Sequence, residues 1–319
     1  MVNLILPTSA ILLGLGLPSD TFLIPKHHSH ALTSSSWPST LPRTIDTRRD
    51  VAIEPIIETA QHLAGSLFQY NGHVPLIQAF GINLFGFTVL REKLLKSLTM
   101  EGYFHAMALG TGLWTTLGWR GWTLCVLYLV LGQLVTKVRF AEKQKRGIAE
   151  GRGGRRGPEN VWGSAATGLL CAFCSVQGDT FLGISSDLYL LGYVASLSTK
   201  LADTFASEIG KAYGKTTFLI TTLERVEPGT EGAVSAEGTA AAVLGGLLLS
   251  LYGWAVGLIP APALLISVAA AFIATNIESI LGATLQDKPN LKWMTNEVIN
   301  FLNTLIGAAI AMAAGLTFL

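Results

Sequence analysis

The chain has 319 residues, half of them hydrophobic and only 13% charged, with a formal net charge of +1. A soluble domain carries about 25% charged residues, so a soluble globular protein is excluded, and a balance this close to neutral offers nothing to a nucleic acid. With a mean hydropathy of +0.47, the composition predicts an all-α, polytopic integral membrane protein.

Residues 1–55 read as a targeting segment. They are rich in Ser, Thr and Pro and poor in acids, and they contain Lys26, His27, His28, His30, Arg43, Arg48 and Arg49. That is the composition of an organelle transit peptide. The apolar run at 4–17 has the length of a signal h-region but no positive charge before it, and a residual membrane anchor is the alternative. The membrane domain is read as 56–319. Apolar runs at 74–90, 103–119, 121–138, 162–180, 187–205, 238–258, 262–284 and 297–318 each approach the ~20 residues needed to cross a bilayer. They predict seven or eight transmembrane helices. The pair at 103–138 is tight, because Gly118, Arg120 and Gly121 leave little room for a turn.

Basic residues gather at Arg91–Lys96 and again between Lys137 and Arg156. Positive loops stay on the side of synthesis. If 103–138 is a helical hairpin, the basic loop 139–160, the loop 206–237 and the segment 285–296 all fall on that side. The loops opposite, near 179–186 and 259–262, contain no Lys or Arg. The GRGGRRG run at 151–157 is read as a flexible basic loop. Cys171 and Cys174 form a CxxC inside an apolar run, without a second ligand pair, and read as packing residues. His105 stands alone in an apolar run and reads as structural, and Trp114, Trp119 and Trp122 suit an interfacial belt.

The chemistry concentrates in 196–239. At 100° per residue, Lys200, Asp203, Thr204, Ser207, Glu208 and Lys211 share one stripe of a helix, with Leu201, Phe205 and Ile209 opposite. Charges at membrane depth are costly and are kept where they face a cavity. A buried ion network that only fixes packing is the bland alternative, but buried ion pairs are weak stabilisers. Gly210 to Thr216 is one residue short of a Walker A motif and follows a helix rather than a strand, which rejects that motif. Its two glycines and two lysines still suit an anion. A second cluster, Gly229, Thr230, Gly232 and Ser235, with Glu231 and Glu237, leads into the next span, whose N-terminus is an anion site. Together they suit a nucleoside triphosphate with Mg2+. In later spans Thr275, Glu278, Ser279, Gly282 and Gln286 share a face, and Asn296, Asn300, Asn303 and Gly307 form a line of interhelical amides or site residues.

These residues carry a resemblance. SLSTKLADTFASEIGKAYGKTT, then PGTEGAVSAEGT, ESILGATLQ and NEVINFLNT, occur in the order found in plastid phytyl-phosphate kinases of the vitamin E pathway and their integral membrane relatives. The likeness covers roughly residues 75–319. The core from Asp203 to Lys215, followed by Thr230–Ala233, is also similar to polyprenol kinases such as dolichol and phytol kinase. One departure is Glu278-Ser279, where the family usually has Asp-Ser. The resemblance implies transfer of the γ-phosphoryl group of a nucleoside triphosphate, CTP rather than ATP, to phytyl phosphate in a multi-pass plastid membrane. Lys200, Asp203 and Glu208 are then the catalytic candidates. Asp203, Glu208, Glu237 and Glu278 are the candidates for Mg2+. Ser207, Gly210, Lys211, Gly214, Lys215, Gly229, Thr230, Gly232 and Ser235 are the candidates for the phosphates. The lipid substrate and the bilayer are the expected partners. A small-metabolite transporter, or a kinase acting on another polyprenol or polyprenyl phosphate, is the alternative.

Overall fold

The computed structural model describes residue 65, residues 74–286 and residues 290–319. The targeting segment read over 1–55, with its apolar run at 4–17, lies outside the described residues. The helices run in the order α1 (Leu76–Val89), a short α2 (Arg91–Leu94), α3 (Met100–Lys137), a short α4 (Phe140–Lys145), α5 (Pro158–Ser175), α6 (Ser186–Tyr213), α7 (Ala236–Ala255), α8 (Ala261–Leu285) and α9 (Asn296–Phe318). Two small antiparallel hairpins interrupt the loops, β1 (Thr180–Phe181) with β2 (Ile184–Ser185) and β3 (Phe218–Leu219) with β4 (Ala233–Val234).

Local chemistry sets the helix starts. The hydroxyls of Thr99, Ser185, Ser235 and Thr295 accept from the backbone N–H three residues on, in α3, α6, α7 and α9, satisfying donors that a helix leaves open. Pro158 opens α5, where a missing N–H does no harm. By length and composition α7, α8 and α9 can each cross a membrane, and α1 is a shorter apolar helix. α6 has comparable length but carries Lys200, Asp203, Glu208 and Lys211.

Straight, the 38 residues of α3 would run about 57 Å, nearly twice the ~30 Å hydrocarbon core. The helix instead folds back at Gly118, whose φ of 58° and ψ of −154° only glycine adopts readily. A side chain placed on Gly110 would meet Trp122 Nε1 at 3.0 Å, although these positions lie about 18 Å apart along a straight helix. The rings of Trp114 and Trp122 sit 5.2 Å apart across the fold-back, and Trp122 Nε1 donates to Asn83 Oδ1 of α1 at 2.9 Å. The tight pair expected over 103–138 is therefore a hairpin with a one-residue hinge.

α6 is the axis of the bundle. Every residue from 191 to 205 is buried, against α3, α5, α7, α8 and α9. Between lipid-facing helices there is no hydrophobic driving force, so close packing and hydrogen bonds must hold them. Small residues supply the packing: Gly168 meets Tyr193 and Ser196, Gly253 meets Val194, and Gly307 meets Thr199. Ser250 bridges Ser198 and Ser267 at 3.1 and 2.8 Å, and Thr167 pairs with Thr304 at 2.9 Å. Cys171, free and buried, packs near Gly192. His105 Nδ1 accepts from Trp162 Nε1 at 2.9 Å.

The basic segments meet at one end. Thr99 N–H donates to Arg156 O and Arg156 N–H to Ser97 O, at 3.0 and 2.9 Å, stitching the 95–99 turn to the 151–157 segment. The opposite end holds the β1–β2 hairpin and the turn at Gly257. Arg120 also lies there, against Gly257 and over the Trp119 ring, a cation that loop counting left out. Residues 151–157, expected to be a flexible loop, form a tied turn. Gln133 donates to Gly154 O at 3.0 Å, Arg152 pairs with Glu159, and Arg156 pairs with Glu150 at 3.0 Å.

Candidate active site

The helical period of α6 puts its charged stripe on one wall of a cavity of about 150 Å3 at the basic end, the volume of several waters at ~30 Å3 each. Lys200 Nζ donates to Asp203 Oδ2 at 2.5 Å and to Asn300 Oδ1 of α9 at 2.7 Å. The i, i+3 spacing makes the first bond local. The second ties the stripe to a helix a hundred residues later. Glu278 of α8 faces this pair, and Asp203, Lys200 and Glu231 are the charged groups that act on its carboxyl. Thr204, Ser207 and Lys211 continue the wall toward the loops.

The facing wall is the glycine-rich loop before α7. Gly232 has a φ of +75°, and a side chain there would strike Ser279 O at 2.6 Å. Glycine thus lets this loop lie directly on α8. Pairing of β3 with β4 fixes the loop's return, with Phe218 opposite Val234. Ser235, Gly238 and Thr239 then bring the N-terminus of α7 to the cavity. The Gly238 and Thr239 N–H groups already pair with Ser235, so what this end offers an anion is the positive end of the helix dipole. A side chain on Gly238 would meet Ala206 O at 2.7 Å, so α6 and α7 cross almost backbone to backbone beneath it.

Of the residues singled out from sequence, Lys200, Asp203, Ser207, Glu208, Gly210, Lys211, Gly229, Thr230, Gly232, Ser235 and Glu278 line this one cavity. Three do not. α6 continues to Tyr213, eight residues into the span read as a loop from 206, and Gly214 caps it. Gly214 packs against Ser235 and leaves Lys215 exposed beyond the helix end. Glu237 lies half-buried in the first turn of α7, outside the lining. Glu208 lines the cavity, but its carboxylate is bound to Lys143, with 1% of the lysine and 3% of the glutamate side chain exposed.

Several participants escaped the sequence reading. Lys143 also donates to Thr136 O at 2.9 Å. Arg139 and Arg146 donate to Ala212 O and Lys211 O at 2.9 and 3.3 Å, covering carbonyls that the C-terminus of α6 leaves open. Arg156 and Glu150 line the cavity from the stitched segment, beside Asn296 and Asn300 of the amide line read from sequence. The charge run at 137–156 was the available signal. Composition alone assigned it to orientation in the membrane, and three of its cations, Arg139, Lys143 and Arg146, also dock on α6.

Asp203 and Glu278 face each other across a poorly solvated cavity with the Lys200 ammonium as their one shared cation, and a second cation would relieve the repulsion that remains. Thr275 Oγ1 lines the same cavity, is buried, and has no hydrogen-bond partner. Oxygen donors of this kind fit Mg2+, which takes one or two carboxylates and completes its shell with water and phosphate. Among the described residues no group of three His, Cys, Asp or Glu side chains converges as a metal site. The arrangement as a whole can bind phosphate groups, neutralise them with Lys200 and Lys211, and share a cation between Asp203 and Glu278.

Comparison with known proteins places this cavity in a family. The model of the family described as "Integral membrane protein DUF92" matches residues 83–308. An uncharacterized membrane protein of Synechocystis, sll0875, is 52% identical over 239 residues, 75% of this chain and 90% of its own length. Protein VTE6, chloroplastic, of Arabidopsis thaliana is 44% identical over 233 residues, 72% of this chain and 69% of its own. An uncharacterized membrane protein of Methanocaldococcus jannaschii, MJ0933, is 30% identical over 218 residues, 68% of this chain and 85% of its own. No solved structure matches.

Proposed function

The chain belongs to the DUF92 family of integral membrane proteins, and from that premise we propose that it is a membrane kinase that phosphorylates phytyl phosphate, an isoprenyl monophosphate, to the diphosphate. The observation that carries the reading is the single cavity where Lys200, Asp203, Glu278 and the Gly229–Ser235 loop converge at the basic end of the bundle. The motif resemblance supplies the substrate class, and with it CTP as the donor. The chloroplastic relative and the Ser-rich, acid-poor residues 1–55 support a plastid membrane. Counting the two arms of α3 separately, the proposed topology has eight passes.

The acceptor phosphate is already an oxyanion near pH 7, so its oxygen needs no strong base. That oxygen attacks the γ-phosphorus, the bond to the β-phosphate oxygen breaks in line, and the nucleoside diphosphate leaves with the electron pair. Catalysis then rests on positioning and charge neutralisation. Lys200, held by Asp203 and Asn300, directs an ammonium into the cavity, and Lys211 adds a second one nearer the mouth. The loop at Gly229–Gly232 offers backbone N–H groups to the donor phosphates, and the positive end of the α7 dipole faces them. Asp203 and Glu278 would hold Mg2+, which supplies charge compensation between the phosphates. Glu208, bound to Lys143, falls outside that ligand set.

Purified protein in detergent, given phytyl phosphate, Mg2+ and each nucleoside triphosphate in turn, is expected to form phytyl diphosphate, fastest with CTP. Absence of diphosphate with all four nucleotides, from protein that is folded, would refute the reading and favour a carrier.

A further inference from the structure

A second cavity lies beside the first and differs from it in kind. It occupies about 80 Å3 between the two arms of α3 and the start of α5, and its walls are almost wholly apolar, including Leu109, Leu113, Val126 and Ala165. Arg156 lines both cavities. Its main chain is held at the apolar side by Thr99 and Ser97, while its guanidinium reaches Glu150 at 3.0 Å and Thr136 at 3.3 Å on the polar side. Tyr128, also in the apolar wall, lies within electrostatic range of Lys200. The two cavities therefore meet at the Arg156 cation.

An isoprenyl monophosphate has the same division, a dianionic head on a branched hydrocarbon. We infer that the apolar cavity receives the isoprene unit next to the phosphate, with Arg156 at the junction binding the acceptor phosphate. The size agrees. At about 80 Å3 it has roughly half the volume of the ~150 Å3 apolar cavity that takes up benzene, so it holds one branched unit and leaves the remaining chain to the bilayer. Its position puts the head group on the Lys200 side, where a donor phosphate in the polar cavity meets it. The assignment rests on the phosphotransfer reading for the reaction, although binding of the lipid can be tested without turnover.

Two experiments separate the possibilities. In the unaltered protein, an isoprenyl monophosphate carrying a diazirine on its first isoprene unit is photolysed and the labelled peptides are mapped. Label is expected within residues 106–129 and 156–165. Label confined to α7–α9 would overturn the assignment. In parallel, Ala165→Leu, which fills the apolar cavity, is expected to raise KM for phytyl phosphate about tenfold or more, the scale on which apolar pockets discriminate small changes in size. KM for the nucleotide is expected to stay within about twofold, since only lipid binding is removed. Equal rises in both, or none, would overturn it. Labelling at the expected peptides with no turnover in the unaltered protein would refute the kinase reading and leave the lipid site standing.

Discussion

Two lysine–carboxylate pairs are buried along α6, and they differ in what surrounds them. Lys200 and Asp203 belong to one helix, have the Asn300 amide as a third partner, and open on the polar cavity. Lys143 and Glu208 join α4 to α6. Glu208 touches the same cavity, but its carboxylate is taken by Lys143, both side chains are almost hidden from solvent, and the remaining polarity of the lysine is directed at Thr136 O. Both glutamate and aspartate lie on the same stripe and look alike from the helical period. The difference teaches that a buried charge becomes available to a ligand only where its counterion leaves an open side. A pair whose carboxylate is taken up by a neighbouring helix is a fastener instead.

The largest effect expected is on the fastener. Lys143→Ala leaves the Glu208 carboxylate buried without its cation and is expected to cost about 3–5 kcal/mol, seen as a large drop in thermal unfolding temperature in detergent. The double replacement Lys143→Met with Glu208→Leu is expected to recover most of that loss and to keep turnover. A folded but inactive double variant would return Glu208 to the ligand-facing set. Next comes the open pair. Asp203→Asn is expected to lower kcat/KM by about 100- to 1,000-fold, with the unfolding temperature nearly unchanged, and wild-type turnover would remove Asp203 from the reaction. Asn300→Ala deletes one hydrogen bond to a charged group and is expected to weaken the site by about 1.5–3 kcal/mol, read as a partial loss of kcat/KM. The smallest effect is at Lys215. Exposed beyond the end of α6, its change to Ala is expected to alter stability by less than about 0.5 kcal/mol and turnover by less than twofold. A loss near that of Asp203→Asn would show that Lys215 reaches the phosphates after all.

Much of this was legible in the chain. The stripe from Lys200 to Lys211 could be read because helical period and hydropathy act on neighbours in sequence. The loop Gly229–Ser235 could be read because glycine and hydroxyl residues before a span mark a helix start. The hairpin was visible only as a difficulty, since the sequence near Gly118 does not say that one backbone angle can reverse a helix. Lys143, Arg139, Arg146 and Arg156 were present as charge and absent as contacts. Their partners Glu208, Ala212, Lys211 and Glu150 are chosen by the docking of α4 and of the stitched turn, which no local pattern encodes. Gly214, Lys215 and Glu237 lie outside the cavity lining for a related reason. Motif spacing groups residues along the chain, while α6 ends at Tyr213, before Gly214 and Lys215, and Glu237 lies in the first turn of α7 outside the cavity lining. The apolar cavity escaped entirely, because its walls come from ordinary hydrophobic residues of four separate helix segments.

The i, i+3 placement of Lys200 and Asp203 also bears on how the protein is made. Each charged residue at the centre of a span opposes insertion by roughly 2.5–3.5 kcal/mol, and α6 leaves the ribosome before α7, α8 and α9 exist. Asn300, the partner from α9, is synthesised a hundred residues later. Because the carboxylate sits one turn from the ammonium on the same helix, α6 carries its own counterion into the bilayer and can wait there for the helices that will enclose it.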